Sequence, residues 1–513
     1  MAYLLGIDNG LTNSKAVVFD LDGNAIATAR RRIAQRMPQP HFVERDMVEL
    51  WLATAGAIKE ALESAACQPS EILAVGATAH GDGLYLLDHD QQPLGNGILS
   101  LDSRAGDIVT DWQQGGTDRA ALELSGQCPH LSAPAALLAW IRRHQPERFD
   151  KIGSVIACKD WLRFCLTGTV GTDLTEASIS FTDPHSQDYR GDILTLYGLE
   201  SLSGALPDIA LPDEIVGYVT DEAAMVTGLA RGTPVVAGLH DVTASALGAG
   251  GYGVGSVAIV AGTYSINETV SNAPKIDPRW FCRNGIRRGE WNNMAISPAS
   301  AANYDWVLDT FCQQEKAQHG EALHIMIAAE LETARDNASA ILFHPYLFGS
   351  PHGPGSSAGF LGLHGWHGRG DVLRALMEGI AFNHRLHCDA LREGFSPTIA
   401  RLTGGISRNP VYAQLFADAL AMKVSVSDVD EPAAWGAALC AGSGAGLFAS
   451  PTHDPRADAG SDQIAIYDPN PIHRQQLDTL YALHCEASEA LRPIWQKLED
   501  LSQSMAASKG VAQ

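Results

Sequence analysis

Apolar and polar positions along the chain alternate between short strand-like runs and turns rich in glycine and hydroxyl groups. Residues 3–7 and 16–19 are apolar and partly β-branched, as strands are, and the turn Asp8-Asn9-Gly10 between them predicts a tight hairpin. Asp20-Leu21-Asp22-Gly23 leads to a third strand over 24–33. Helical spacing of apolar residues predicts a helix over 47–65, and a buried strand over 72–78 ends at Ala79-His80-Gly81-Asp82-Gly83. Further strands are expected over 84–87 and 97–101, the second ending at Asp102-Ser103-Arg104, with helices over 133–143 and 159–166. Residues 234–240 read as a buried strand that stops at Asp241, and small residues from 242 to 248 as the helix that follows.

The opening pattern then recurs. A strand over 256–261 is followed by a second hydroxyl-rich turn, Gly262-Thr263-Tyr264-Ser265, and by another strand-like run. This weak duplication predicts two related lobes, each presenting a phosphate-binding turn to a shared cleft. A strand over 399–403 ends in Gly404-Gly405 and leads through Asn409 to a helix over 411–421. Residues 450–472 have the Pro, Asp and Ala content of a surface loop. A terminal helix over 471–501 is expected to be interrupted at Pro493, and residues 505–513 to be disordered.

A length of 513 residues exceeds one hydrophobic core, so two domains, 1–250 and 251–504, are expected. The net charge of −23 repels nucleic acid and anionic membrane surfaces. Nine cysteines with no Cys-x-x-Cys pair fit reduced thiols in a cytoplasmic protein, and no stretch reads as a membrane span. Gly248-Ala249-Gly250-Gly251-Tyr252-Gly253 matches the dinucleotide-binding fingerprint in letters only, because it follows a helix instead of opening one after a strand.

The polar residues at strand ends suit phosphoryl transfer. Such a reaction needs neutralised phosphate charge, an oriented acceptor hydroxyl and exclusion of water. Turn amides with Thr12, Asn13 and Ser14 can hold phosphate oxygens, and Asp8 can hold Mg²⁺ through water. Asp241 can accept a hydroxyl proton, although an acid in that position also suits a helix cap. His80, Asp82, Asp102 and Arg104 supply the paired acceptors and donors that polyols require. Lys15 is either a phosphate contact or a solvated strand residue. His384, His387 and Cys388 share helical spacings without a second ligand cluster.

Taken together, these segments resemble the FGGY family of carbohydrate kinases over about residues 3–500. Asp8 to Lys15 followed by Asp20 matches the family's first phosphate motif, with Leu11 in place of a usual threonine. Gly359-Phe360-Leu361-Gly362-Leu363, Asp371-Val372 and Ala375-Leu376-Met377-Glu378-Gly379 match its carboxyl-terminal signature with one mismatch, Leu376. Gly404-Gly405 with Asn409 resembles the adenosine motif, and Glu431-Pro432-Ala433-Ala434-Trp435-Gly436 the helix start that follows it. In the amino-terminal signature Pro134 and Trp140 are in register, but Leu137 stands where many members carry lysine.

The resemblance implies a two-lobed, actin-like (ribonuclease H-like) α/β fold with ATP between the lobes. It also implies Asp241 as catalytic base, sugar contacts at Ala79, His80 and Asp102, and nucleotide contacts at Thr12, Gly262, Thr263, Gly404, Gly405 and Asn409. Glu44-Arg45-Asp46-Met47, Gly81-Asp82-Gly83-Leu84 and residues 94–100 look most like the bacterial L-xylulose kinases. The expected reaction is transfer of the γ-phosphoryl of Mg-ATP to the terminal hydroxyl of a ketose, with a ketopentose, L-xylulose or D-xylulose, leading. Ribulose, 3-keto-gulonate, erythritol and glycerol are the alternatives within the family, and a sugar-independent actin-like ATPase the alternative outside it. The sequence is compatible with a homodimer.

Overall fold

The computed structural model describes residues 2–510 except 338, 354 and 460–463. These residues form two compact units. The first comprises 1–254, 270–294 and 428–463, and the second 255–269, 295–427 and 464–513. The first break falls close to the expected boundary at 250, but a single cut does not describe the units, because two later segments return to the first.

In the first unit, β1 (Tyr3–Asn9), β2 (Asn13–Asp20) and β3 (Ala25–Arg32) form an antiparallel meander. The α1 helix (Met47–Ala65) starts where Asp46 accepts the N–H groups of Val48 and Glu49. The remaining strands of the sheet are β4 (Ile72–Ala79), β5 (Ile215–Tyr218), β6 (Pro234–Val236) and β7 (Leu239–His240). Their order is β5-β6-β4-β1-β2-β3, with β7 also paired to β4. Strand β1 runs parallel to β4, which in turn runs parallel to β6 and β7.

Alternating apolar residues give the sheet two buried faces. On one, Leu5, Ile7, Val18 and Val75 pack against α1 and against α2 (Cys158–Thr167). On the other, Leu4, Val17, Phe19, Ala74 and Val236 pack against α3 (Asp241–Gly248) and against a helix from far along the chain, Pro432–Gly444. That helix lies on the strands so closely that a Cβ on Gly6 would stand 2.1 Å from the carbonyl oxygen of Ala434, and one on Gly76 2.0 Å from that of Ala437.

The second unit repeats the scheme. Strands β8 (Ser256–Ala261) and β9 (Ser265–Ser271) form an antiparallel hairpin, and β8 pairs in parallel with β10 (Ile399–Thr403). Strand β10 is parallel to β11 (Lys423–Ser427), and β12 (Ile464–Tyr467) closes the edge in antiparallel fashion. In both units, therefore, a hairpin with a hydroxyl-rich turn sends its first strand into parallel pairing with a much later one. This is the two-domain, mixed-sheet α/β fold of the actin-like ATPases.

Three expectations at the carboxyl end are corrected. Residues 450–472 contain a short helix, Pro455–Ala459, and β12, which pairs with β11 through Ile464 to Tyr467. The final helix runs unbroken from Pro471 to Gly510 with Pro493 inside it, so the substitution of one N–H donor does not end it. Residues 505–510, expected to be disordered, belong to that helix, and 511–513 lie outside the described residues. The expected strand over 97–101 shortens to Gly97–Ile98, which pairs with Glu44–Arg45.

Candidate active site

Parallel pairing brings the ends of β1, β4 and β7 side by side. Asp8 is level with Thr78, and His240 with Ala79. Asp8, His80 and Asp241 thus leave the sheet at one edge, where parallel α/β sheets place ligands. His80 donates its backbone N–H to the Asn9 carbonyl at 2.9 Å. Asp241 is the first residue of α3, and the nearby backbone N–H groups of Val242 and Gly81 favour its charged form. Burial, and then the nearby carboxylate of Asp8, push its pKa up to about 7. Both neighbouring imidazoles are neutral: burial lowers His80 and His240 to about 3.

The backbone before Asp241 is held from beneath by a buried polar network. Lys159 Nζ lies 2.5 Å from Asp160 Oδ1, 2.9 Å from Asp173 Oδ1 and 3.2 Å from the Ala237 carbonyl oxygen. Thr175 donates its N–H and hydroxyl to Asp173 Oδ2, and the Thr175 oxygen accepts the N–H of His240 at 2.9 Å. Burial alone would lower the Lys159 pKa, but Asp160 and Asp173 outweigh it and raise it. Sequence reading missed this network. Its only local signal is the charged pair Lys159-Asp160 inside an apolar helix.

On the acceptor side, Asp82 Oδ1 accepts from Arg283 Nη2 at 3.0 Å and lies 3.4 Å from His130 Nε2. Asp102 behaves differently from the sequence expectation. Its Oδ1 accepts the backbone N–H and Nε of Arg104, and its Oδ2 accepts Arg104 Nη2 and the N–H of Val43. Four donors fill both oxygens of a carboxylate, so Asp102 has no lone pair left for a sugar hydroxyl and serves instead to hold Arg104. Arg104 also bonds Glu44 at 2.8 Å and stacks on Phe42, 3.8 Å from the ring centre. Only its Nη1 lacks a partner. Breaking a buried pair strands the remaining charge, so Asp102→Ala is expected to cost about 3–5 kcal/mol of stability, read by denaturant unfolding.

The turn between β1 and β2 is closed by Gly10 N–H on the Asn13 carbonyl at 3.0 Å, with Thr12 exposed. The fully buried Arg45 fixes it from behind, donating to Asn9 Oδ1 and to the carbonyls of Gly10 and Leu11. Ser14 is turned the other way: it is wholly buried and its hydroxyl pairs with that of Thr54 at 2.9 Å, because strand alternation points it into the core. Lys15 Nζ lies 2.8 Å from Glu431 Oε2 and 3.4 Å from Asp8 Oδ2, so it is ion-paired and only partly exposed.

In the second unit, Gly262 and Thr263 form the β8–β9 turn, and Gly262 accepts the N–H of Ala301. Gly404 follows the adjacent strand at φ +100°, and a Cβ there would stand 2.4 Å from the Ala261 carbonyl oxygen. Gly405 is exposed, while Asn409 caps the next helix by accepting the Val411 N–H at 3.0 Å. His384 is a core histidine with both ring nitrogens engaged, Nδ1 with Asn267 and Ser265 and Nε2 with Ser300, and it buttresses the turn through Ser265. His387 pairs with Ser297. Among the described residues no group of three or more His, Cys, Asp and Glu side chains could hold a metal ion.

Comparison with known proteins identifies the family. Residues 3–248 match the N-terminal domain of the FGGY family of carbohydrate kinases, and residues 257–445 its C-terminal domain. A probable L-xylulose kinase of Pasteurella multocida is 34% identical over 96% of this chain and 99% of its own length. An L-xylulose/3-keto-L-gulonate kinase of Escherichia coli is 33% identical over 87% of this chain and 89% of its own. In fold, the chain superposes on a xylulose kinase from Lactobacillus acidophilus with a TM-score of 0.87 at 23% identity, covering 97% of this chain and 100% of that one. With both family domains matched in order along its length, the chain belongs to the FGGY family of carbohydrate kinases and is a phosphotransferase that phosphorylates a sugar with ATP.

Proposed function

We propose that the acceptor is a ketopentose, L-xylulose before D-xylulose, and that Asp241 takes the proton of its terminal hydroxyl as the γ-phosphoryl arrives. The observation that carries this reading is the convergence of Asp8, His80 and Asp241 at three neighbouring strand ends, with Asp241 titrating near the pH at which a base must work. The names of the relatives favour L-xylulose. Neutral His80 orients acceptor hydroxyls through a ring nitrogen, Nδ1, that has no partner within the protein. The turns at Thr12 and Asn13 and at Gly262 and Thr263 hold phosphate oxygens, and Gly404, Gly405 and Asn409 lie against the nucleoside.

Asp8 fits Mg²⁺. Its carboxyl is raised by burial, only partly offset by Lys15, and it raises Asp241 in turn, so a dication beside the two acids relieves their repulsion. One carboxylate and water suffice for an ion that keeps most of its hydration. When bound, Mg²⁺ neutralises phosphate charge. Nine cysteines with no Cys-x-x-Cys pair favour a cytoplasmic setting; no helix among the described residues is long and apolar enough to cross a membrane.

The test is ADP release with Mg-ATP across L- and D-pentuloses, 3-keto-L-gulonate, erythritol and glycerol. Strong preference for one pentulose is expected. Turnover indifferent to every sugar would overturn the acceptor assignment.

A further inference from the structure

Arg283 is a charged side chain with almost no exposure, 3%, in a segment that sequence reading did not single out. It lies in the strand Phe281–Asn284, part of the excursion 270–294 that returns to the first unit. Its Nη2 bonds Asp82 at 3.0 Å, its Nε bonds Gln127 Oε1 at 3.2 Å, and its guanidinium sits 4.9 Å from the centre of the Phe281 ring. Its Nη1, though buried, has no hydrogen-bond partner in the protein.

The groups around it share that condition. Nε2 of His240 and Nδ1 of His80 are buried without hydrogen-bond partners, while His240 Nδ1 stands 3.6 Å from Asp241 Oδ1 and His130 Nε2 3.4 Å from Asp82 Oδ1. His240 lies against Gly81 so tightly that a Cβ there would stand 1.7 Å from its Nε2. Asp82 is held in the left-handed region at φ +57°, a conformation that costs a non-glycine residue energy and that recurs at ligand sites. Buried polar atoms are almost always hydrogen-bonded, so such a cluster beside Asp241 marks where a polar ligand completes the bonding.

We propose that Arg283 is a specificity-determining residue of the acceptor site, and that with Asp82 it reads two adjacent hydroxyls of a neutral ketose. Arg283 Nη1 donates to one oxygen, and Asp82 Oδ2, opposite the oxygen already bound to Arg283, accepts from the neighbouring hydroxyl. The pair is charge-balanced. A carboxylate on the acceptor would add a negative charge beside Asp241 that a neutral pair does not offset, so the site disfavours sugar acids.

The proposal rests on the ketose-kinase reading and deepens it. It is tested with the full-length enzyme, its preferred pentulose, the deoxy analogues lacking one hydroxyl each, and 3-keto-L-gulonate. Wild type is expected to reject two neighbouring deoxy analogues by about 100-fold or more in kcat/KM, as sites built around a hydroxyl do. Arg283→Lys should raise KM for the pentulose at least about tenfold, leave KM for ATP unchanged and abolish discrimination against one of these analogues. Asp82→Asn, an isosteric change that keeps an oxygen facing Arg283, should abolish discrimination against the other and narrow the gap to 3-keto-L-gulonate.

If both variants reject every deoxy analogue as strongly as wild type does, Arg283 and Asp82 are a structural pair and the proposal fails, whatever happens to melting temperature. If Arg283→Lys does not fold, Asp82→Asn decides alone. A wild-type enzyme that uses no ketose overturns the acceptor reading and this proposal with it, whereas a ketose kinase with unchanged discrimination in the variants overturns this proposal only.

Discussion

Asp241→Asn is expected to lower kcat by about 10²–10⁴-fold, the range of a lost general base, while sugar and ATP still bind. An amide keeps the shape of the carboxyl, but it cannot take a proton. Near-normal turnover would remove Asp241 from the chemistry. In the unsubstituted enzyme kcat/KM should fall about tenfold per pH unit on the acid side, because protonation of the raised carboxyl removes the base; the limb lies near 7 without metal and moves down as Mg²⁺ beside Asp8 offsets the repulsion.

The same substitution should change stability with a definite sign. The folded protein binds a proton at Asp241 more tightly than the unfolded chain, whose aspartate titrates near 3.8. Stability contributed by this group therefore falls as pH rises from about 4 to about 7 and stays reduced above it. Asp241→Asn should raise the melting temperature at pH 8 and change it little at pH 4. Equal shifts at the two values would count against a raised carboxyl.

Gly76→Val is expected to abolish accumulation of folded protein. Even Gly76→Ala, by setting a methyl 2.0 Å from the Ala437 carbonyl oxygen, must push strand and helix apart and should cost about 3 kcal/mol or more. The control is Gly106→Ala, where a Cβ meets nothing within 4 Å and the expected change is within about 0.5 kcal/mol. Thermal melts and soluble yield compare the three. A Gly76→Ala protein as stable as the control would mean that the helix Pro432–Gly444 is not seated so closely on the sheet.

Local patterns carried much of this architecture. Helix Met47–Ala65 and strands Ser256–Ala261 and Ile399–Thr403 lie where apolar periodicity places them, since each depends on its own residues. The acids at strand ends were likewise legible, because a polar residue closing a buried strand is conspicuous. What escaped was set by distant partners. Nothing near Asp102 announces that Val43 and Arg104 will consume its lone pairs. Arg283 reads as one cation in a polar strand until the return of 270–294 sets it against Asp82. Ser14 looked like a phosphate donor by composition, and the parity of its strand turned it inward.

The return of residues 428–463 to the first unit bears on how the protein is made. A ribosome that has released the first 254 residues has delivered the strands of a sheet with one face clothed by α1 and α2, but the helix that covers Leu4, Phe19 and Ala74 on the other face is still almost 180 codons away. Until Trp435 and its neighbours emerge, that face is covered only by α3 and leaves apolar surface exposed on a nascent chain, so a truncation at 250 should collect in inclusion bodies or on chaperones.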